Sequence, residues 1–238
     1  MDGSWCILRS EDLRVVHHGR DATQYITTIN FSPDGRYLAV GSLDTTISIY
    51  DVIRGYIRRS VCRDFNGFVS QLDWCEDSIH VRCNSGFFEL SFYNVEGGTD
   101  FEDGEEAISV TPKEARDLVW STNTCTLSWS NLGVWPTDRQ QTQVNTCDVA
   151  MSRMVVKEES EESEESEESE ENSECGLIAT GNDDGIIKLY RYPAPNRSAP
   201  SIDLIGHGPH IAVVRWTKDE HHLISIGASD RSIMLWDV

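Results

Sequence analysis

Apolar and polar residues alternate with a period of two through much of this chain, and turn residues interrupt the alternation about every 8–12 positions. This pattern predicts antiparallel β strands, and helical periodicity is nearly absent. Two stretches, 24–52 and 210–238, align along most of their length. Each contains a strand ending in an aromatic residue (Phe31 or Trp216), a turn, a second apolar strand, an Asp, and a third strand closing on aromatic-Asp-Val. The chain therefore contains an internal repeat.

Two further copies of the repeat are less regular. Residues 68–95 carry a degenerate version, and the remaining copy is interrupted: 143–156 supply one strand and 176–192 supply the next two. The tetrapeptides SPDG and NDDG stand between strands, where Asn, Asp and Gly tolerate the backbone angles of hairpin turns. Setting residues 157–174 aside restores the spacing of the other copies.

The repeat predicts an all-β fold. A single small sheet cannot bury both of its faces, so neighbouring sheets must stack, and radial stacking gives a β-propeller. Blades usually contain about 40–45 residues, so we expect about four blades, formed by 24–156 and 175–238. Residues 1–23 are interpreted as the end of a truncated preceding repeat, which would make the propeller incomplete.

The last copy matches the WD-repeat signature in part. Gly206-His207, Asp230 in the turn and Trp236-Asp237 at the end fit the pattern. In WD repeats the His, the Asp, a strand Ser or Thr, and the Trp form a buried hydrogen-bonded set. Here Ile226 stands at the expected Ser/Thr position, so the set is predicted to be incomplete. A catalytic role for His207 is not expected.

Other copies keep fragments of the same signature. Asp44 occupies the turn position in the first copy, and Thr180, Asp184 and Tyr190 fill three positions in the interrupted copy. We assign these residues structural roles. The pair Asp183-Asp184 is also compatible with a metal site or an acid pair, but a hairpin turn explains it better.

Residues 157–174 form an acidic tract with eleven Glu and one Lys. Because it contains no apolar residue to bury, it is predicted to be a disordered insert between strands. Ser160, Ser163, Ser166 and Ser169 each precede two Glu, which makes them candidate phosphorylation sites for an acid-directed kinase. The alternative is a solvated loop without a role.

Charge and motifs exclude several functions. The net charge of −20 disfavours nucleic acid and anionic membranes, since both attract basic surfaces. The seven cysteines are not spaced as metal ligands, and no signal peptide or membrane span is recognisable. We expect an intracellular protein with free thiols, no metal, no cofactor and no small-molecule substrate. No catalytic motif is found either, which argues against an enzyme.

The sequence resembles the C-terminal propeller of the echinoderm microtubule-associated protein-like family. The stretch LGVWP is the most telling, since ordinary WD repeats lack it. The segments that carry the resemblance are NFSPDGRYLAVGSLDTTISIYDV (30–52), FVSQLDW (68–74), ARDLVWSTNTCTLSWSNLGVWPTD (115–138), ATGNDDGIIKLYRYP (179–193) and the closing copy (206–238).

The resemblance implies a non-enzymatic, cytoplasmic scaffold of the cytoskeleton, whose partners are tubulin, microtubules or microtubule-associated proteins. The alternative is a generic WD-repeat adaptor in another intracellular complex. Family members often carry an N-terminal coiled coil and two joined propellers, whereas this chain starts inside a repeat, so we expect an N-terminally truncated product. The acidic insert is not a feature we associate with the family.

Overall fold

The computed structural model describes residues 3–96, 105–135, 143–151 and 175–238, and in these residues the chain forms eighteen β strands and one short 3-10 helix. The acidic tract and its candidate phosphorylation sites lie outside the described residues. The chain divides into two units, 1–127 and 128–238.

The first unit contains three sheets. The two-stranded sheet pairs β1 (Trp5–Leu8) with β2 (Val15–Gly19). The next sheet has the order β10-β6-β5-β4-β3, with β3 (Ile26–Phe31), β4 (Tyr37–Ser42), β5 (Ile47–Asp51), β6 (Ile57–Cys62) and β10 (Glu105–Glu106). The third has the order β11-β9-β8-β7, with β7 (Val69–Trp74), β8 (His80–Ser85), β9 (Leu90–Asn94) and β11 (Ile108–Val110).

The second unit contains the helix, Trp129–Val134, and two sheets. One has the order β12-β13-β14-β15, with β12 (Val144–Ala150), β13 (Gly176–Asn182), β14 (Ile186–Tyr192) and β15 (Ser201–Ile205). The other has the order β16-β17-β18, with β16 (Ile211–Trp216), β17 (His222–Gly227) and β18 (Ile233–Asp237). The two halves of the interrupted copy thus pair directly, β12 against β13.

The four sheets that begin with β3, β7, β12 and β16 are the four blades of a β-propeller, which confirms the predicted fold class. Consecutive strands within each blade pair antiparallel. The one parallel pairing among the described strands joins β10 to β6.

Hairpin turns stand where the sequence predicts them. In SPDG, Ser32 Oγ donates to Asp34 and Gly35 has a φ of +71°. In NDDG, Gly185 has a φ of +81°. This left-handed region favours glycine because it has no Cβ, so both tetrapeptides close their turns at the residue best suited to it.

The core of the first unit lies between blades. Side chains from β4 and β5 (Tyr37, Ile49) pack against side chains from β7 and β8 (Trp74, Val81). The opposite face of the first blade packs against β1, where Trp5 contacts Leu38, Val40 and Tyr50. β4 and β5 are buried on both faces, so the polar residues Ser42, Ser48 and Asp51 are buried together with the apolar ones.

The second unit repeats this arrangement. Residues of β13 and β14 (Ala179, Ile187) pack against residues of β16 and β17 (Ile211, Leu223). The Trp216 Nε1–H donates to the Asp148 carbonyl at 3.2 Å. In the first unit, Trp74 makes the corresponding bond to Asn30, also at 3.2 Å. The aromatic residue that ends the first strand therefore ties each blade to the preceding one within its unit.

All seven cysteines are free thiols. Five are buried, Cys175 is half-buried and Cys6 is exposed. Burial raises the pKa of the Cys62 thiol and that of Cys83, so these thiols are protonated at neutral pH. Within the described ranges, no helix has the length and apolar character required to cross a membrane.

Candidate functional site

A hydrogen-bonded chain of four side chains connects the strands of the last blade. Trp236 Nε1–H donates to Ser225 Oγ at 2.7 Å, and Ser225 Oγ lies 2.7 Å from His207 Nε2. His207 Nδ1 lies 3.0 Å from Asp230 Oδ2. Because an indole N–H can only donate, Ser225 Oγ accepts from Trp236. With His207 in the tautomer that carries its proton on Nδ1, the serine hydroxyl donates to Nε2 and Nδ1 donates to the carboxylate.

The structure corrects one prediction about this chain of contacts. Ile226 was expected at the Ser/Thr position and the set was expected to be incomplete, but Ser225 occupies the position and completes it. The turn here is one residue longer than in the interrupted blade, where Thr180 precedes Asp184 by four positions. A one-residue shift in a strand moves a side chain to the opposite face, so counting back from Asp230 with the shorter spacing selects the wrong residue.

Ser225, His207 and Asp230 have the connectivity of a hydrolytic triad. However, Ser225 is 0 % exposed, the side chain of His207 is also fully buried, and the serine oxygen already accepts from Trp236. A substrate carbonyl has no path to the hydroxyl in this conformation. The arrangement instead holds the second and third strands of the blade, and the turn between them, to the loop that precedes the first strand.

Asp230 fixes the outer end of this chain. Backbone N–H groups of Ser232 and Gly208 donate to its carboxylate at 2.9 Å and 2.7 Å. These bonds, together with those from the Ser232 and His207 side chains, hold the pKa of Asp230 well below its usual range. The carboxylate is thus ionised at neutral pH and joins two loops.

In the first blade, an aspartate also joins the turn between the second and third strands to the segment that precedes the first strand, but no histidine takes part. Asp44 accepts from the Thr23 backbone N–H at 2.7 Å and from Thr46 Oγ1 at 2.7 Å. Partial burial raises the pKa of Asp44, but the bonds from Thr46, Thr23 and Ser42 outweigh it and the net shift is downward. The aromatic at the end of β5, Tyr50, donates its hydroxyl to Asp21 at 2.7 Å.

In the interrupted blade, one aspartate stabilises the turn and a second one contacts a neighbouring loop. Asp184 accepts from the Ile186 N–H at 3.0 Å within its own turn, and Thr180 Oγ1 donates to the Lys188 carbonyl at 3.4 Å. Asp183 instead contacts the loop of the next blade, with His210 Nδ1 at 2.8 Å. Sequence reasoning placed both aspartates in a turn and missed this contact.

A buried ion pair in the first unit was also missed. Arg82 Nε donates to Asp73 Oδ2 at 3.0 Å, and their side chains are 5 % and 0 % exposed. Desolvation raises the pKa of Asp73, but the Arg82 charge and the N–H groups of Thr124 and Cys125 hold it below its usual value. The guanidinium also lies over the Trp120 ring, 4.7 Å from its centroid.

The partners of this ion pair come from two distant segments. Asp73 belongs to FVSQLDW, whereas its donors Thr122, Thr124 and Cys125 belong to STNTCTL. Asn84, two residues beyond Arg82 on β8, makes a second connection, since its side chain accepts from and donates to the backbone of Leu127. Residues 120–127 are thereby fixed to the second blade, although they form no named strand.

In the second unit, residues 132–135 of the LGVWP stretch are likewise fixed by backbone hydrogen bonds to a distant segment. Gly133 N–H donates to the Ala194 carbonyl at 2.6 Å, and Ala194 N–H donates to the Ser130 carbonyl at 2.7 Å. A Cβ at Gly133 would lie 2.2 Å from the Asn196 carbonyl oxygen. Only glycine permits this approach.

The described residues, with gaps at 97–104, 136–142 and 152–174, contain no group of three or more His, Cys, Asp or Glu side chains arranged to hold a metal ion. The polar clusters found there are internal to the fold. Their chemistry is that of hydrogen bonds between strands and loops, with carboxylates as multiple acceptors.

Comparison with known proteins assigns the family. The family model described as "Echinoderm microtubule-associated protein second beta-propeller" matches residues 1–238. The chain belongs to the echinoderm microtubule-associated protein family. The resemblance inferred from the repeats is thereby confirmed.

Relatives within the echinoderm microtubule-associated protein family match almost the whole chain at moderate identity. Human echinoderm microtubule-associated protein-like 3 is 31 % identical over 239 residues, covering 99 % of this chain and 23 % of the relative. Mouse echinoderm microtubule-associated protein-like 1 is 32 % identical, covering 100 % and 26 %. The 77 kDa protein of the sea urchin Lytechinus variegatus is 34 % identical, covering 99 % and 32 %. The chain thus spans about a quarter to a third of the length of these relatives.

Proposed function

We propose that this chain is a non-enzymatic scaffold that associates with microtubules in the cytoplasm and contributes to the organisation of the cytoskeleton. The observation that carries the proposal is the family match over the whole chain, since its relatives are named for association with microtubules. The partners proposed are tubulin, microtubules or microtubule-associated proteins.

The polar networks support a scaffold role. Each network joins strands to loops within the fold, as do the hydrogen bonds from Trp236 to Asp230 and the Asp73–Arg82 pair. Such an arrangement gives a rigid platform whose loops are free to contact a partner, and rigid platforms lose little conformational entropy on binding. We propose no cofactor and no small-molecule substrate. Nucleic acid and anionic membranes are also not proposed as partners, because the net charge of −20 repels both surfaces.

The same charge favours a second candidate function. Tubulin carries acidic tails, and like charges slow association and weaken contact. An adaptor in another intracellular complex would not meet this repulsion. For the microtubule role we therefore expect weak direct binding by this chain, made through loop contacts rather than through a basic patch.

Co-sedimentation with stabilised microtubules tests the proposal. Weak binding should strengthen when the acidic tubulin tails are removed, and moderate salt should not weaken it much, because salt screens the repulsion between like charges. No co-sedimentation under any of these conditions, together with absence of tubulin from a pull-down, would favour the adaptor function. Tight binding that is lost on removal of the tails would instead indicate a basic surface and contradict the expected mode of contact.

A further inference from the structure

Three phenylalanine side chains are exposed in two adjacent loops of the second blade. Phe68 lies at the start of β7 and is 43 % exposed, while Phe87 and Phe88, between β8 and β9, are 68 % and 57 % exposed. Single exposed apolar residues are common on protein surfaces, but a contiguous group marks an interaction site. We call Phe68, Phe87 and Phe88 the aromatic patch.

The two loops are fixed to each other. The Gly86 N–H donates to the Phe68 carbonyl at 2.8 Å, and the Asn66 side-chain amide donates to the Glu89 carboxylate. Ser85 Oγ donates to the same carboxylate at 2.9 Å. The aromatic patch is therefore held in place before any partner arrives, which lowers the entropy cost of binding.

The phenylalanine rings rest on glycines of the opposite loop. A Cβ at Gly86 would lie 2.3 Å from Phe68 Cε1, and a Cβ at Gly67 would lie 2.5 Å from Phe87 Cδ2. Each ring thus covers a bare backbone segment and leaves its other face towards solvent. This packing accounts for both glycines and orients two of the three rings.

Phe88 occupies a backbone conformation that does not suit it. Its φ is +60°, in the left-handed region. Phe88 is the third residue after the second strand of its blade. The same turn position is occupied by Thr45 in the first blade and by Gly185 in the interrupted one, with φ values of +67° and +81°. Glycine adopts these angles most easily, and a bulky residue there costs energy. Folding of the turn alone therefore does not favour a phenylalanine at this position.

A tyrosine occupies the corresponding position in the neighbouring blade. Tyr25 is 48 % exposed and precedes β3 as Phe68 precedes β7. Val69, which follows Phe68, packs on Gly41 of the first blade, at 2.8 Å from the Cβ that an alanine would have, and Ser42 Oγ donates to the Tyr25 carbonyl. These contacts join the segment that starts β7 to the hairpin of the first blade, which makes Tyr25 a candidate extension of the aromatic patch.

Carboxylates occur in the same loops as these aromatic residues. Asp64 and Glu89 belong to the two loops of the aromatic patch, whereas Asp21 precedes β3 and Asp44 follows β4. Hydrogen bonds from Asn66 and Ser85 lower the pKa of Glu89, so it is ionised at neutral pH. The nearby cation Arg63 lies against Glu106, with Nε at 3.7 Å from the carboxylate. Aromatic faces and carboxylates both attract cations, whereas the rings alone attract apolar groups.

We propose that the aromatic patch, extended by Tyr25, is a docking site for a protein segment in which apolar side chains alternate with Lys or Arg. The apolar side chains would cover Phe68 and Phe87, and the cations would lie over the exposed ring faces and beside Asp64 and Glu89. This site does not depend on microtubule association, so either proposal can fail while the other stands.

The probe is a fluorescent peptide in which Leu and Arg alternate, measured by anisotropy at physiological salt. We expect Phe87→Ser or Phe68→Ser to weaken its binding about tenfold, as for truncated interface anchors. The matched control is Ile53→Ser, which changes a residue that is 79 % exposed at a different turn of the same unit and should leave the affinity unchanged. Asp64→Asn should weaken binding about threefold and reduce its salt dependence.

Two companion peptides test the chemistry. Replacing Leu by Ser, or Arg by Glu, should each lower the affinity at least about tenfold. Equal binding of the Leu–Arg peptide to the wild-type protein and both Phe variants, with folding verified by circular dichroism, would overturn the proposal. So would a self-association in sedimentation velocity that Phe87→Ser abolishes, since the occupant would then be a second copy of the chain.

Discussion

The last blade and the second blade each carry a buried polar network, and the two are built differently. In the last blade, the side chains of Trp236, Ser225 and His207 form a hydrogen-bonded series that ends at the carboxylate of Asp230. In the second blade, the full charges of Asp73 and Arg82 are buried together.

The difference shows what each blade contributes to its surroundings. The network of the last blade closes within one repeat, since all four members lie between Gly206 and the end of β18. The network of the second blade extends outside its own repeat to Thr124 and Cys125. The first arrangement stabilises a blade, and the second also fixes residues 121–127, which follow the bridge between Cys75 and Trp120. Four experiments distinguish them.

The largest effect is expected from Asp73→Ala. The substitution leaves the Arg82 guanidinium buried without its carboxylate and removes the acceptor for Thr122, Thr124 and Cys125. Loss of one partner of a buried pair costs about 3–5 kcal/mol. Urea denaturation followed by tryptophan fluorescence measures the change in the free energy of unfolding. A loss below about 1 kcal/mol would mean that the pair is not buried in solution.

Ser225→Ala should have a smaller effect. It removes the acceptor for Trp236 and the donor to His207 while leaving both side chains in place. A buried polar group left without a partner costs about 1–3 kcal/mol, and the loss should appear in the same denaturation assay. Ile226→Ala is the matched control, because Ile226 is 36 % exposed and points to the other face. Equal losses in the two variants would contradict the assignment of Ser225 to the network.

The pH dependence of stability sharpens the comparison at Asp230. Because its folded-state pKa lies below the unfolded value of about 3.9, it contributes stability above about pH 4 that is lost as the pH falls. Asp230→Asn should therefore be less stable at neutral pH and lose less stability on acidification. Denaturation midpoints from pH 7 down to about pH 3 measure this, with the exposed Asp117→Asn as the control. A wild-type slope in the Asp230 variant would refute the expectation.

The smallest effect is expected at the contact between Asp183 and His210. Both side chains are about half exposed, and exposed ion pairs contribute about 0–1 kcal/mol. His210→Ala should therefore change the free energy of unfolding by less than about 1 kcal/mol. A loss as large as that of Ser225→Ala would show that this loop contact belongs to the structural framework.

These networks also show which features of the structure can be predicted from the sequence and which cannot. The strands, turns and repeat positions were predictable because each depends on residues a few positions apart, as with Phe31, Asp44 and Trp236. Ser225 could not be identified in this way, because its spacing from Asp230 depends on the length of the intervening turn and the repeat pattern does not fix that length. The Asp73 network links residues about fifty positions apart, and alternation along a strand carries no information about such partners.

The aromatic patch escaped sequence reasoning for a different reason. Phe87 and Phe88 read as apolar residues of a degenerate strand, and nothing in the alternation tells a buried phenylalanine from an exposed one. Exposure follows from the hairpin, which ends β8 at Ser85 and begins β9 only at Leu90. The signal that the sequence did contain is the pair of glycines, Gly67 and Gly86, each next to a phenylalanine.

The distribution of thiols provides a built-in reporter of unfolding. Cys62, Cys75, Cys83 and Cys125 are buried in the first unit and Cys147 is buried in the second, whereas Cys6 is open to reagent. A thiol-specific label applied to the native protein should therefore modify Cys6 quickly and Cys175 more slowly. The five buried sulfurs should react only when their own unit opens. Peptide mapping after a short labelling pulse would then show whether the two halves of the chain open together or in sequence, without any engineered probe.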